Sequence, residues 1–94
     1  MNPQHMNDPE SVALDTRRRR LLFRATHRGT YENDLMIGGF VRARLATFDA
    51  ADLDALESLL ELPDTDLADW LTGRRPIPPG AAPILRSIRD SLVR

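Results

Sequence analysis

The sequence predicts an all-α fold, a small bundle of four to five short helices in a single domain. Apolar residues recur at spacings of three and four along most of the chain, and no segment alternates with period two. Glycine and proline fall between the periodic segments, where they end helices and form turns. The length of 94 residues is that of one domain.

The first periodic segment follows a polar stretch. Residues 1–10 contain two prolines and no periodicity, so we expect a disordered tail before one helical domain over residues 11–94. The first helix is predicted from Ser11 to His27. Its apolar face comprises Leu14, Leu21, Leu22 and Ala25. Gly29 should end this helix in the left-handed conformation.

The second helix is predicted from Tyr31 to Ala46, with the Thr30 hydroxyl as its N-cap. Its apolar stripe comprises Leu35, Ile37, Phe40, Val41 and Leu45. Gly38 and Gly39 interrupt the helix, and each costs about 1 kcal/mol there relative to alanine. We therefore expect either close approach of another backbone or a kink at this point.

A third helix is predicted in the acidic middle of the chain. Asp49 and Asp52 form a capping arrangement at its start, and Pro63 follows its end. Its buried face is predicted to comprise Leu53, Leu56, Leu59 and Leu60. The acids between these leucines point outward.

Two short helices complete the fold. Asp64 or Thr65 is expected to cap the fourth helix, which ends at Gly73 and turns Leu67, Trp70 and Leu71 inward. A proline-rich link over residues 74–80 leads to a last helix over residues 81–93. That helix is expected to bury Ile84, Leu85, Ile88 and Leu92.

Charge is distributed unevenly along the chain. The net charge is −1, and all thirteen basic residues are arginine. Residues 49–73 hold eight acids and no arginine, whereas residues 1–48 hold eight arginines and five acids. The two segments can attract each other within the fold, or each can offer a charged face to a partner.

The arginine run at residues 17–20 is the strongest signal for nucleic acid, because arginine suits phosphate. Consecutive helical residues point in different directions, however, and only Phe23 and Tyr31 are near enough to stack on bases. The acidic middle would also repel a phosphate backbone. We interpret the run as a solvated or internally paired face and do not expect nucleic acid as the partner.

Residue types that support catalysis are scarce. The chain has no cysteine, its only histidines are His5 and His27, and no glycine-rich phosphate loop is present. We therefore predict no enzyme activity, no metal site and no stably bound cofactor. No apolar run reaches membrane-span length, and the first fifteen residues carry no arginine or lysine, so we expect a cytoplasmic protein without membrane contact.

The corner between the first two helices reads RGTYE, residues 28–32. Helix capping and the helix dipole are sufficient to explain each of these residues. Arg28 complements a helix C-terminus, Gly29 ends the helix, Thr30 begins the next and Glu32 favours its dipole. Yet two charged residues flank a glycine, so a partner could approach the backbone closely. The pattern leaves a structural corner and a binding surface both open.

The corner and the segments after it resemble the succinate dehydrogenase assembly factor family, the flavinylation factors of bacteria and mitochondria. RGTYE fits the family's R-G-x-x-E motif, and Gly38 and Phe40 follow at the family's spacing. PDTDLADWL at residues 63–71 continues the match. The resemblance covers about residues 16–80, and the second glycine, Gly39, departs from the pattern.

The resemblance implies a non-catalytic assembly chaperone of bacterial origin, monomeric when free. It would bind the flavoprotein subunit of succinate dehydrogenase, and also that of fumarate reductase, and promote covalent attachment of FAD to a histidine there. By position, the partner-binding residues would be Arg28, Gly29, Thr30, Glu32 and Asp34. The alternative is a small regulator that binds nucleic acid or a toxin-like protein, as an antitoxin does, through its arginine-rich face.

Overall fold

The structure, a computed structural model, describes residues 9–92 and contains five α-helices in that range. They are α1 (Pro9–Thr26), α2 (Tyr31–Arg44), α3 (Ala50–Leu60), α4 (Asp64–Thr72) and α5 (Pro83–Leu92). A 3-10 turn, Leu45–Thr47, continues α2. This range contains no strand, so the all-α prediction is confirmed. None of its helices combines the length and the apolar character needed to cross a bilayer.

The five helices share one apolar core. α1 packs on α2 and α3, while α5 lies against α2, α3 and α4. The most deeply buried side chains come from all five helices and include Leu21, Ile37, Val41, Leu53, Leu56, Leu67, Leu85 and Ile88. The four predicted leucines of α3 are all buried. Trp70 packs against the core and is partly buried.

Two residues of the predicted apolar faces lie outside the core. Leu35 is 57% exposed, because it lies roughly 160° round α2 from Ile37 at 3.6 residues per turn. Leu92 is 40% exposed at the end of α5. The apolar stripe of α2 is therefore narrower than the sequence predicts.

Most helix ends coincide with the predicted turn residues. Gly29 and Gly73 have φ of 98° and 82°, the left-handed conformation that glycine adopts without strain. The capping box of Asp49 and Asp52 is present at the start of α3. Like the 3-10 turn after α2, these features are local, so they follow from short stretches of sequence.

Several boundaries differ from the prediction. α1 begins at Pro9 rather than Ser11, since proline is well suited to a first helical turn; residues 1–8 of the predicted tail lie outside the described residues. Pro83 likewise begins α5. The expected side-chain cap of α4 is wrong, because Pro63 takes the cap position and Asp64 is the first helical residue.

The basic face of α1 pairs with the acidic face of α3. Arg17 Nη2 lies 2.6 Å from Asp54 Oδ1, and Arg24 Nη2 lies 3.5 Å from Glu61 Oε1. The Arg18 guanidinium donates twice to a backbone carbonyl in the turn before α3. Exposed ion pairs of this kind contribute at most about 1 kcal/mol each. Their main consequence is that these arginines already have partners within the fold.

The adjacent glycines of α2 have opposite surroundings. A Cβ at Gly38 would lie 2.7 Å from Thr26 Cγ2 and 3.5 Å from the Ala25 carbonyl oxygen, because α1 crosses α2 there. This confirms the expected close approach. A Cβ at Gly39 would have no heavy atom of the described residues within 4 Å. Packing thus accounts for Gly38 alone.

Alanine substitutions at the two glycines should change stability in opposite directions. Gly38→Ala should destabilise the fold by about 1–3 kcal/mol, because the short, branched Thr26 side chain cannot easily move away. Gly39→Ala should stabilise it by about 1 kcal/mol, because alanine favours the helix and meets no neighbour. Urea unfolding followed by the fluorescence of Trp70 measures both values. Changes of the same sign would contradict the packing described here.

Candidate functional site

The α1–α2 corner is closed by backbone and carboxylate contacts. Thr30 takes the N-cap position of α2 with extended backbone, but its hydroxyl makes no capping hydrogen bond, so that expectation is wrong. Its carbonyl oxygen accepts from the Asp34 amide at 3.0 Å. The Asp34 carboxylate turns back and accepts from the Arg28 amide at 2.8 Å. Asp34 therefore ties the first turn of α2 to the end of α1.

The Arg28 side chain points away from its own helix and into the turn between α3 and α4. It is only 10% exposed. Nη1 donates to the Leu60 carbonyl and Nη2 to the Leu62 carbonyl, both at 2.8 Å, while Nε donates to Asp64 Oδ1 at 2.6 Å. The last carbonyls of a helix have no partner within it. Arg28 thus caps the end of α3 rather than the end of α1.

Asn33 completes this network and was not singled out by the sequence analysis. Its side chain is 1% exposed, and Nδ2 donates to the carbonyl oxygen of Asp64 at 2.9 Å and to Asp64 Oδ1 at 3.1 Å. The sequence feature that could have identified Asn33 is its position in the helix. Asn33 lies one turn before Ile37 on the core face of α2, where a polar residue needs an internal partner.

The network lowers the pKa of Asp64. Desolvation by burial raises that pKa, but hydrogen bonds from Arg28 and Asn33 and attraction to the guanidinium outweigh it. The carboxylate is therefore held in its charged form. A charged Asp64 fixes the first turn of α4 against the corner.

The five predicted site residues divide into two groups. Arg28 and Asp34 are partly buried and engaged within the chain, whereas Gly29, Thr30 and Glu32 are exposed. No heavy atom of the described residues lies within 4 Å of a Cβ placed on Gly29. Glu32 makes only a long contact, with Oε1 at 3.8 Å from an arginine Nη2 of the link after α4. The three exposed residues form an open surface that carries one carboxylate, and Arg28 and Asp34 hold this surface in place.

Two rings extend this surface onto α1. Phe23 is 62% exposed and stacks on His27, with ring centroids 4.0 Å apart. His27 Nδ1 lies 2.9 Å from the Phe23 carbonyl oxygen and 2.9 Å from the Thr26 hydroxyl oxygen. A shallow cavity of about 290 Å³ lies beside them, lined also by Arg24, Arg28 and Asp64. The helical periodicity of the sequence does not predict that Phe23 and His27 stack on each other.

Comparison with known proteins supports one family. The model of the family described as the flavinator of succinate dehydrogenase matches residues 19–92. The chain belongs to this family. It is 48% identical to the FAD assembly factor SdhE of Acetobacter pasteurianus over 98 residues, which cover 99% of this chain and 90% of that protein.

Mitochondrial relatives match over a smaller share of their own length. The chain is 37% identical over 76 residues to succinate dehydrogenase assembly factor 2 of Mycosarcoma maydis, covering 81% of this chain and 32% of that protein. It is 35% identical over 85 residues to assembly factor 2-B of Drosophila persimilis, covering 83% of this chain and 54% of that one. No solved structure gives a significant match.

Arg28→Ala should destabilise the fold by about 2–4 kcal/mol, because it leaves a partly buried carboxylate, the last carbonyl of α3 and a carbonyl of the following turn without their donor. The matched control is Arg24→Ala, one turn earlier, where an exposed ion pair is lost. That change should cost less than about 1 kcal/mol. Urea unfolding compares the two variants. Equal losses would show that the Arg28 contacts add no stability.

Asp64 should make stability dependent on acid pH. Since its pKa is lowered in the folded state, its contribution is complete above the ordinary value of about 4 and is lost as pH falls through the lower folded value. The difference in unfolding free energy between wild type and Asp64→Asn should therefore be largest near pH 7 and shrink below about pH 4. Urea titrations at both pH values measure it. A difference that does not change with pH would contradict the charged network.

Proposed function

We propose that the chain is an assembly chaperone that binds the flavoprotein subunit of succinate dehydrogenase and promotes covalent attachment of FAD to it. Membership of the flavinator family carries the proposal, together with the identity to FAD assembly factor SdhE over nearly the whole of both chains. The chain itself would be neither an enzyme nor a holder of cofactor. FAD would become attached to the partner.

The exposed corner suits this role. Gly29, Thr30 and Glu32 offer bare backbone, a hydroxyl and a carboxylate to a partner, and Arg28 and Asp34 hold them from behind. A surface held rigid before binding loses little conformational entropy on contact. We therefore assign partner binding to the first three residues and support of the corner to the other two.

A helper of this kind acts by selecting a conformation of its partner. It accelerates attachment only if it binds more tightly to the form of the flavoprotein in which the flavin and the reacting histidine are close. The corner needs no catalytic group for that. In the same proposal, the flavoprotein of fumarate reductase is a second partner, and the chain works as a monomer in the bacterial cytoplasm.

Arg19 and Arg20 of the arginine face are exposed, but its other members are engaged within the chain, which disfavours a nucleic-acid or antitoxin role. Arg17 and Arg24 are paired with acids of α3, and Arg18 with a backbone carbonyl and Asp15. Phosphate binding would compete with each of these contacts. The acidic α3 beside them would also repel a polyanion.

Glu32→Ala should leave the fold intact and lower covalent flavin in the partner, because Glu32 is exposed and makes only a long ion pair. Gly29→Asn should do the same, since asparagine tolerates left-handed backbone but adds a side chain to the contact. Gly73→Asn is the control at a second left-handed glycine, with φ of 82° against 98° at Gly29; a Cβ there would lie 3.2 Å from Arg89 Nη2, the end of a flexible side chain. Flavin fluorescence of the flavoprotein subunit on a denaturing gel measures attachment in a strain without its own assembly factor.

Two outcomes of this experiment would count against the proposal. If wild type fails to restore covalent flavin in that strain, the chain is not an assembly factor for that subunit. If wild type restores it and Glu32→Ala and Gly29→Asn perform equally well, the corner is not the contact surface. A loss in Gly73→Asn equal to that in Gly29→Asn would trace the effect to stability.

A further inference from the structure

The face of α2 that points away from the core continues the corner. Tyr31, Leu35 and Gly39 follow one another at intervals of one helical turn, and with Glu32 they occupy an arc of roughly 100°. Tyr31 is 80% exposed and Leu35 is 57% exposed, and Gly39 is exposed as well. Two large apolar side chains and a stretch of bare backbone thus form one line that begins at RGTYE.

The fold does not require a glycine at position 39. Gly38 is fixed by the crossing of α1, with Thr26 Cγ2 only 2.7 Å from a Cβ placed there. Gly39 has no such neighbour among the described residues, its φ is not positive, and glycine is disfavoured in the interior of a helix. An alanine there would meet no neighbour and should stabilise α2. Packing within the described residues therefore does not account for this glycine.

We propose that this face of α2 is part of the partner-binding surface, and that a main-chain segment of the flavoprotein subunit packs against the bare backbone at Gly39. Tyr31 and Leu35 would anchor the same segment through apolar contact. The proposal rests on the proposed function, and it extends the contact from the corner by about two helical turns, roughly 11 Å along α2.

The size and continuity of the face favour this occupant over a second copy of the chain. Two side chains and one glycine cover far less than the roughly 800 Å² per partner that a stable interface buries. Alone, the face would not support a homodimer. Joined to the corner, it becomes the apolar centre of a larger contact, with charged Glu32 and Arg42 at its ends as a polar rim.

The test separates binding from folding, because the two should change in opposite directions. Gly39→Ala should melt about 4–8 °C above wild type, and Gly39→Gln should rise by less. Calorimetric titration with the purified succinate dehydrogenase flavoprotein subunit should nevertheless give Gly39→Gln an affinity at least about tenfold weaker than wild type. Gly39→Ala should lie between them. Ala51→Gln, an exposed site on α3, is the control and should bind as wild type does.

Covalent flavin formed in the strain without an assembly factor provides the second readout and should fall in the same order. If Gly39→Gln is more stable and binds as wild type does, the inference is overturned. A wild-type dimer that Gly39→Gln dissociates, with flavoprotein binding unchanged, would identify a second copy as the occupant and also overturn it. If wild type itself neither binds the flavoprotein nor restores flavin, the proposed function fails, and this occupant fails with it.

Discussion

The Arg28 guanidinium joins the α1–α2 corner to the turn between α3 and α4. Arg28 follows the end of α1 and donates to the last carbonyl of α3, to a carbonyl of the turn after it and to the first carboxylate of α4. It thereby satisfies acceptors that a helix end leaves free and neutralises an acid that burial would otherwise disfavour. Without it, Asp34 would still close the corner, and the polar contact between the corner and α4 would rest on Asn33. The orientation of the exposed corner residues depends on this side chain.

The fold was predictable where its signals are local. Gly29, Gly73 and the Asp49–Asp52 pair act within a few residues of chain, and the spacing of leucines in α3 defines its own buried face. Leu35 was assigned wrongly because hydrophobicity alone does not say how wide a face the neighbouring helices can cover. α1 and α5 leave that side of α2 open, and only their placement in three dimensions reveals it.

The contacts within the proposed site were less predictable than the turn that carries it. The motif assigns the proposed binding surface to the corner, but it does not distinguish residues that face a partner from residues that hold the corner in place. Arg28 forms contacts with residues 32 to 36 positions away, which spacing along one helix cannot reveal. Thr30 lacks its expected hydroxyl bond, and the carboxylate of Asp34, one turn later, closes the corner by accepting from the Arg28 amide.

The two neighbouring glycines of α2 have different surroundings, so we expect their replacements to co-vary with different positions. Replacement of Gly38 in a relative should accompany a change at Thr26, since the two positions share one space within a single polypeptide. If the flavoprotein subunit packs on Gly39 as proposed, replacement of Gly39 should accompany a change in that subunit. Position 38 would then co-vary with a position of the same chain, and position 39 with a position of the partner. Such a result would separate a residue needed for folding from its neighbour needed for binding.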